Sequence, residues 1–573
     1  MRSGGEYFTE PGEPAQRRYE ALRCYFIEEL AATEVGKRFG YSPAVVHQMA
    51  SELRAGKAQF FASSRPGPKG PRKAERIRDR VLELRAQDRS VTEIAGALAA
   101  EGTPVSAQTV WSILAAEGLE RLERRTPAER GAPPRLRPVK ARAIPFWPAG
   151  ESLPCDHAGL FLLVGGIVEL ALHELIAECG YPQTKVLSAW HSLGSLLLAK
   201  CARKPRVSHT HALADDDALG LLLGLTALPK ATHLTSYSYR VRRSSNEKLL
   251  TGLTRRLREL HLASGEQGFN LDFHAIRHHG QEAPLEKHYV PRRSQRTRAV
   301  LTFFAQDHAS SEMVYANADL TKTEQAREVI AFADYWQKVS GEDPGLLVFD
   351  SKLTTYKMLS ELTERGIRWL TLRERGPKLI ADLRALPASE WKTIRVERSG
   401  RYRQPQIHDQ LVKIKDIEAP VRQLAVRNIG RDQPTLLITN DMQRTTKQLF
   451  ARYAERMGIE NELDAYISGF HLDALSSGLP LNVDLDTTLT VIAGNLYRLL
   501  ARQLPRYEHA TPDRLWRHFL DSTGTLHVKE NELVLDLHVR TYHPVLIDTG
   551  IAEKPTPIPW LDGRQLRFRF PPR

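Results

Sequence analysis

Cysteine is scarce. Only Cys24, Cys155, Cys179 and Cys201 occur in 573 residues, and no two form a C-x-x-C pair. Neither a structural zinc site nor a disulfide framework is therefore expected, and a reducing compartment fits. Long apolar runs are also missing. The most apolar stretch, Gly159 to Ile176, carries Glu169, His173 and Glu174, which are costly in hydrocarbon. The run Ala218 to Leu228 is too short to span a bilayer. Both read as buried helices of a soluble protein, with no membrane partner. The opening Met1-Arg2-Ser3-Gly4-Gly5-Glu6 lacks the apolar core of a signal peptide, so a cytoplasmic location is expected.

What is present is length and positive charge. A chain of 573 residues exceeds what one core usually supports, and roughly three to four domains are expected. Lys and Arg number 81 against 68 Asp and Glu, a formal charge of +13, which favours a polyanionic partner such as DNA or RNA. The excess is concentrated. Arg65, Lys69, Arg72, Lys73, Arg76, Arg78 and Arg80 crowd one segment, and Arg121, Arg124, Arg125, Arg130, Arg135, Arg137, Lys140 and Arg142 another.

Residues 1–62 follow helix-turn-helix logic. Thr33 to Phe39 predicts a short helix and Gly40 a turn, while Ser42 and Pro43 supply the N-cap and first residue of a helix towards Leu53. Val35, Phe39, Val45, Val46 and Met49 are the expected core, leaving Ala44, His47 and Gln48 to face a DNA groove. After the linker Ser63-Ser64-Arg65-Pro66-Gly67-Pro68-Lys69-Gly70-Pro71, residues 74–120 repeat a three-helix plan. Ile77, Val81 and Leu84 mark the first helix, the capping box Ser90-Val91-Thr92-Glu93 opens the second, and Ser106 opens a third with Val110, Ile113 and Leu114. Helical modules also hold protein partners. Two in tandem with basic flanks point to DNA, with Arg65, Lys69, Arg72 and Lys73 as phosphate contacts beside His47 and Gln48.

Residues 121–150 read as a basic, Pro-rich linker and 151–265 as a helical domain. From 266 the periodicity changes. Strands at Phe269 to Ile276, Val300 to Ala305 and Met313 to Ala316 precede a helix (Gln325 to Trp336), a buried strand ending at Asp350, a helix (Tyr356 to Arg365) and a strand (Ile367 to Leu372). That order suits a mixed α/β sheet of the ribonuclease H-like kind over 266–385 and 436–510. A β-rich insertion is expected over 386–435, and 511–573 forms a C-terminal region. The expected class is thus multidomain: all-α helix-turn-helix units, then an α/β catalytic domain.

Asp272 interrupts an apolar strand, where a carboxylate is expensive unless paired, hydrogen-bonded or metal-bound. Asp350 ends the most hydrophobic strand of the region. On a later helix Tyr453, Arg456 and Glu460 stand at i, i+3 and i+7, within about 60° of one face. Three carboxylates from separate elements are what two-metal phosphoryl transfer needs. Tyr453-x-x-Arg456-x-x-x-Glu460 behind two strand-borne aspartates resembles the DDE transposases of bacterial insertion sequences that carry a Y-x-x-R-x-x-x-E signature, over about Asn270 to Ala501.

The resemblance implies that Asp272, Asp350 and Glu460 are catalytic and hold two Mg²⁺ (or Mn²⁺) ions, and that Tyr453 and Arg456 contact the DNA backbone. It implies a nucleoid-associated enzyme that cuts element ends and joins them to target DNA as a synaptic homodimer. One departure is Ile467, where that family commonly has Lys. Two other classes stay open: a non-catalytic DNA-binding descendant, and a ribonuclease H-like nuclease that cuts without joining. Glu462 is a rival third acid, though it is turned about 200° from Glu460. His274, His278, His279 and His288 could bind a transition metal or simply face solvent. Asp215, Asp216 and Asp217 read as a helix cap, and Trp391 as a buried tryptophan or a base-stacking one. Arg240, Arg242, Arg243, Arg292, Arg293, Arg296 and Arg298 read as a DNA-lining surface or as solvated charge.

Overall fold

Short helices dominate the first quarter of the computed structural model, which describes all residues except 1–5, 58–59, 61–72, 120–139, 266–267, 279–284, 291–294, 322, 352–354, 396–403, 431, 475–478 and 571–573. The chain divides into two compact units, Met1–Arg137 and Pro138–Arg573. It is a mixed α/β protein, with an N-terminal helical region followed by mixed sheets and interspersed helices.

In the first unit, helices Pro14–Phe26, Ala32–Phe39 and Pro43–Arg54 bury Ala21, Val35, Phe39, Val46 and Met49 in one small core. Gly40 closes the second helix at φ +75°, a left-handed conformation that costs other residues more. Ser42 then caps the third helix by accepting from the Val45 backbone N–H at 3.4 Å. Val45 is not in the core as expected but 38% exposed. The buried stripe runs through Val46, Met49 and Ala50, and one residue back is a turn of about 100° away from it.

Helices Lys73–Ala86, Val91–Ala100 and Ala107–Ala116 form a second core around Ile77, Val81, Leu84, Ile94, Leu98, Val110 and Leu114. Its capping box is fully formed: Glu93 N–H donates to the Ser90 hydroxyl at 3.3 Å, and Ser90 N–H to the Glu93 carboxylate at 2.7 Å. Ser90→Ala should therefore cost about 1 kcal/mol, read by denaturant unfolding. A loss below a few tenths would show that water replaces the cap.

The second unit is built on a ten-stranded sheet and a five-stranded one. In chain order the strands are β1 (Ser152–Cys155), β2 (Phe269–Arg277), β3 (Lys287–Val290), β4 (Gln295–Asp307), β5 (Met313–Asn317), β6 (Leu346–Phe349), β7 (Arg368–Leu372), β8 (Lys392–Thr393), β9 (Gln406–Val412), β10 (Val421–Arg427), β11 (Thr435–Thr439), β12 (Gly524–Val528), β13 (Glu532–Leu537), β14 (Thr556–Ile558) and β15 (Arg564–Arg569). The large sheet runs β3-β4-β2-β6-β7-β11-β10-β9-β8, with β5 also paired to β4. β4 runs antiparallel to both β2 and β5, whereas β2, β6 and β7 are parallel. β11, from the second part of the expected core, pairs antiparallel with β7, and the strands expected as an insertion, β10 and β9, extend the sheet beyond it.

Gly268, at φ +88°, lets β2 start against β6, because a Cβ there would lie 2.1 Å from the Leu346 carbonyl oxygen. The two sheet faces differ in their cover. Phe269 packs its ring against Phe332 and Trp336 of the helix Glu328–Ser340. On the other face Leu346, Val348, Leu370 and Leu437 pack against Leu449 of the helix Thr446–Glu455.

Helices between residues 158 and 263 share one continuous apolar core with the large sheet, the five-stranded sheet and the helix Pro480–Gln503. That last helix is buried almost all round, as a core helix must be. The second sheet orders β1-β12-β13-β15-β14, so residues near 153 pair with residues near 526. Among the described residues no single helix is long and apolar enough to cross a membrane; the apolar run near 160–178 forms a pair bent by 63°, and its apolar side chains line the shared core.

Candidate active site

Alternation along β2 puts Asn270, Asp272 and His274 on the face opposite Phe269, Leu271 and Phe273. Every member of that polar set has a partner. Asn270 donates to Gln306 on β4 at 3.1 Å and accepts from Arg452 at 2.7 Å, and His274 lies 2.6 Å from Asp473. Asn270 pairs with Val348 in the parallel register of β2 and β6. The paired register ends there and β6 ends at Phe349, one residue before Asp350, which is near enough to Asp272 to act on it electrostatically. Asp350 is held just past the strand by its own turn, accepting from the Ser351 N–H at 2.6 Å and the Ser351 hydroxyl at 3.2 Å.

The third element is the helix Thr446–Glu455, opened by a Thr445–Gln448 capping box and continued, after a break at Arg456, by Met457–Phe470. The break is slight. Arg456 keeps αR dihedrals, and its N–H reaches Tyr453 O at 3.1 Å. Tyr453, Arg456 and Glu460 stay on one side: the Arg456 guanidinium lies 5.7 Å from the Tyr453 ring centroid and donates through Nη2 to Glu460. Its Nη1 lies 3.5 Å from Asp272 Oδ2. Arg456 thus bridges two of the three expected acids, one from the sheet and one from the helix.

Burial pushes the Asp272 carboxyl up to about 6; Arg456 pulls it down, while Glu460 and Asp350 push it further up. Burial alone would lower Arg456, but Tyr453, Asp272, Glu460 and Asp350 together hold it above its ordinary value. Burial pushes the Tyr453 phenol up to about 12, so it stays a donor at neutral pH. A carboxyl that titrates near 6 when folded and near 4 when unfolded binds its proton more tightly in the native state. Its contribution to stability is full below about pH 4, falls as pH rises towards 6, and is flat beyond. Asp272→Asn should remove that fall, as pH-dependent unfolding will show; an unchanged profile would assign it to other groups.

Among the described residues, no group of three or more His, Cys, Asp or Glu lies close enough as placed to hold a metal ion. The donor chemistry suits a hard divalent cation, since all three groups are carboxylates: Asp272 and Glu460 meet at the Arg456 guanidinium, which stands where a cation would neutralise them, and Asp350 acts on both Asp272 and Arg456 electrostatically. Buried Nε and Nη1 of Arg456 have no hydrogen-bond acceptor, which leaves this fork able to turn to another anion.

Arg452 was not anticipated. It is buried, ties the helix to Asn270, and burial lowers its pKa to about 10. Its position four residues before Arg456, on the same helical stripe, was the available signal. Glu462 takes no part in the cluster; it accepts from Arg498, which also binds buried Glu312 at 3.0 Å. Ile467 packs against the main core.

Asp216 caps the helix Asp217–Leu222, accepting from Leu219 N–H at 3.3 Å, and also receives the His157 N–H at 3.0 Å. Arg243 points inward, to Asp484 at 2.6 Å, so it lines no outer surface. Trp391 is buried, with the Arg427 guanidinium 4.1 Å from its ring centroid. His288 is buried and lies 3.6 Å from Glu286. In the first unit His47 and Gln48 are exposed; His47 lies 3.4 Å from the Tyr25 hydroxyl and Gln48 donates to Glu52 at 3.0 Å. Arg65, Lys69, Arg72, His279, Arg292 and Arg293 lie outside the described residues, and Lys73 is described only as the first residue of its helix. Compared with models of known protein families and with curated proteins, the chain matches none.

Proposed function

We propose that the chain is a DDE-type DNA transposase, with a ribonuclease H-like catalytic sheet and N-terminal helix-turn-helix units that bind the ends of an insertion sequence. The observation that carries this reading is the junction of Asp272, Arg456 and Glu460, with Asp350, just past the adjacent parallel strand, near enough to act on Asp272. The antiparallel trio β5-β4-β2 continued by parallel β6 and β7 supports it. So do the two three-helix clusters, whose exposed His47 and Gln48 are available to base edges.

Asp272, Asp350 and Glu460 would hold divalent ions such as Mg²⁺ or Mn²⁺, which supply activation of the attacking oxygen and stabilisation of the leaving one. Asp272 must be ionised to do so, and its raised pKa ties that step to neutral or higher pH. Arg456, once its carboxylates are otherwise neutralised, can present Nε, which has no hydrogen-bond acceptor, and Nη1, released from its ion pair with Asp272, to a backbone phosphate. Tyr453, protonated at neutral pH, can donate to the same group. Strand hydrolysis at an element end frees a 3′-hydroxyl, which then attacks target DNA. Both steps are displacements at phosphorus, so one acidic cluster serves both. Two ends must be joined together, which calls for a synaptic homodimer in the bacterial nucleoid.

Incubating the protein with Mg²⁺ or Mn²⁺ and labelled duplex carrying the inverted ends of the element tests the proposal; cut and joined products are expected. Cleavage without joining assigns a ribonuclease H-like nuclease. Binding without cleavage assigns a non-catalytic DNA-binding protein, a reading favoured by one observation, that Arg456 already neutralises two of the acids.

A further inference from the structure

We infer a second anion site, a phosphate-binding pocket built around Lys204 and Arg206 and sharing no residue with the acidic cluster. It lies among the helices Ala189–Cys201 and Ala231–Ser238, the turn Val207–Leu213 and the start of Pro480–Gln503. Its volume is about 100 Å³, against roughly 10–15 Å³ needed for one water. A small oxyanion with part of its attached group fits.

Charge selects the occupant. Asp486 is the one carboxylate among the lining residues, and it is taken by Lys200, which lies 2.8 Å from it, is buried, and gives a further hydrogen bond to the Phe470 carbonyl. Lys204 and Arg206 are left facing the pocket with no acid to match them. Thr210 and Ser238 spend their hydroxyl protons on backbone carbonyls at 2.8 Å each. The hydroxyls of Ser208 and Thr235 remain to donate. Two cations and two hydroxyls around a partly apolar floor suit a tetrahedral phosphate with several acceptor oxygens better than a planar carboxylate. The phosphate could belong to a DNA backbone or to a free nucleotide.

Calorimetric titration of the full-length protein with inorganic phosphate tests the site without reference to cleavage, so failure here and failure of the proposed activity are separable. Lys204→Ala/Arg206→Ala should weaken phosphate binding by about tenfold or more, with an unchanged unfolding temperature. Should the double variant unfold, Arg206→Ala alone, at an exposed position, carries the test. A duplex-DNA arm distinguishes the source. A fall of about two in the salt-dependence slope assigns a DNA backbone phosphate, and an unchanged slope assigns a free phosphate or nucleotide. Absence of phosphate binding in the wild type, or equal binding in wild type and variant, overturns the inference.

Discussion

Replacing Asp272 by Asn is expected, on the proposed function, to lower metal-dependent cleavage of element-end DNA by about 10³-fold or more, while binding of the same DNA changes by less than about twofold. The substitution preserves shape and leaves an oxygen to accept the Phe273 N–H that now lies 2.9 Å from the carboxylate. It removes the charge that meets Arg456 from the sheet side. The proposed function gives ground-state DNA contact to the helical clusters of the first unit, so affinity and turnover should separate. A factor of 10³ corresponds to about 4 kcal/mol of transition-state stabilisation, the size expected for one of three proposed metal-binding carboxylates. Gel-based cleavage and filter-binding assays on one preparation check it. Cleavage within tenfold of wild type would remove Asp272 from the chemistry.

Asp484→Ala should destabilise the second unit by about 3–5 kcal/mol. Asp484 is 1% exposed and accepts from Arg243 at 2.6 Å, Asn246 at 2.7 Å and the Ala318 N–H at 3.0 Å. Removing it strands a guanidinium whose remaining contacts are the Ala316 carbonyl and the Tyr315 hydroxyl. An unpaired buried charge costs far more than the net worth of the pair. Asp484→Asn, which keeps one acceptor oxygen for this network, should lose less. Tryptophan fluorescence during denaturant unfolding reports mainly on this unit, because Trp111 is the lone tryptophan before residue 138. A loss under 1 kcal/mol would mean that water reaches Arg243.

Much of this fold is legible in local chemistry. The strand at Leu346 to Phe349 and the helix capped by Ser42 follow from apolar runs and cap residues that act over a few positions. The polar alternation of Asn270, Asp272 and His274 marks a face that must be partnered, and the spacing of Tyr453, Arg456 and Glu460 survives the helix break because Arg456 stays in the αR region. Pairing across hundreds of residues is another matter. Nothing near Ser152–Cys155 shows that it pairs with Gly524–Val528, because pairing partners leave no local periodicity. The same limit hides Arg452, whose role depends on Asn270 from a distant strand, and the inward turn of Arg243 to Asp484. The spacing of Arg456 and Glu460 on one helix side is readable in the sequence; that Arg456 reaches Asp272 on a distant strand is not.

The most direct measurement is a Mn²⁺ titration of the full chain, followed by electron paramagnetic resonance at neutral pH, in the wild type and in Asp350→Asn and Glu460→Gln. Bound Mn²⁺ is expected in the wild type and a marked loss in each variant, since the proposed site draws its ligands from a strand end and a helix that are distant in the sequence. Mn²⁺ binding that survives Glu460→Gln undiminished would contradict it.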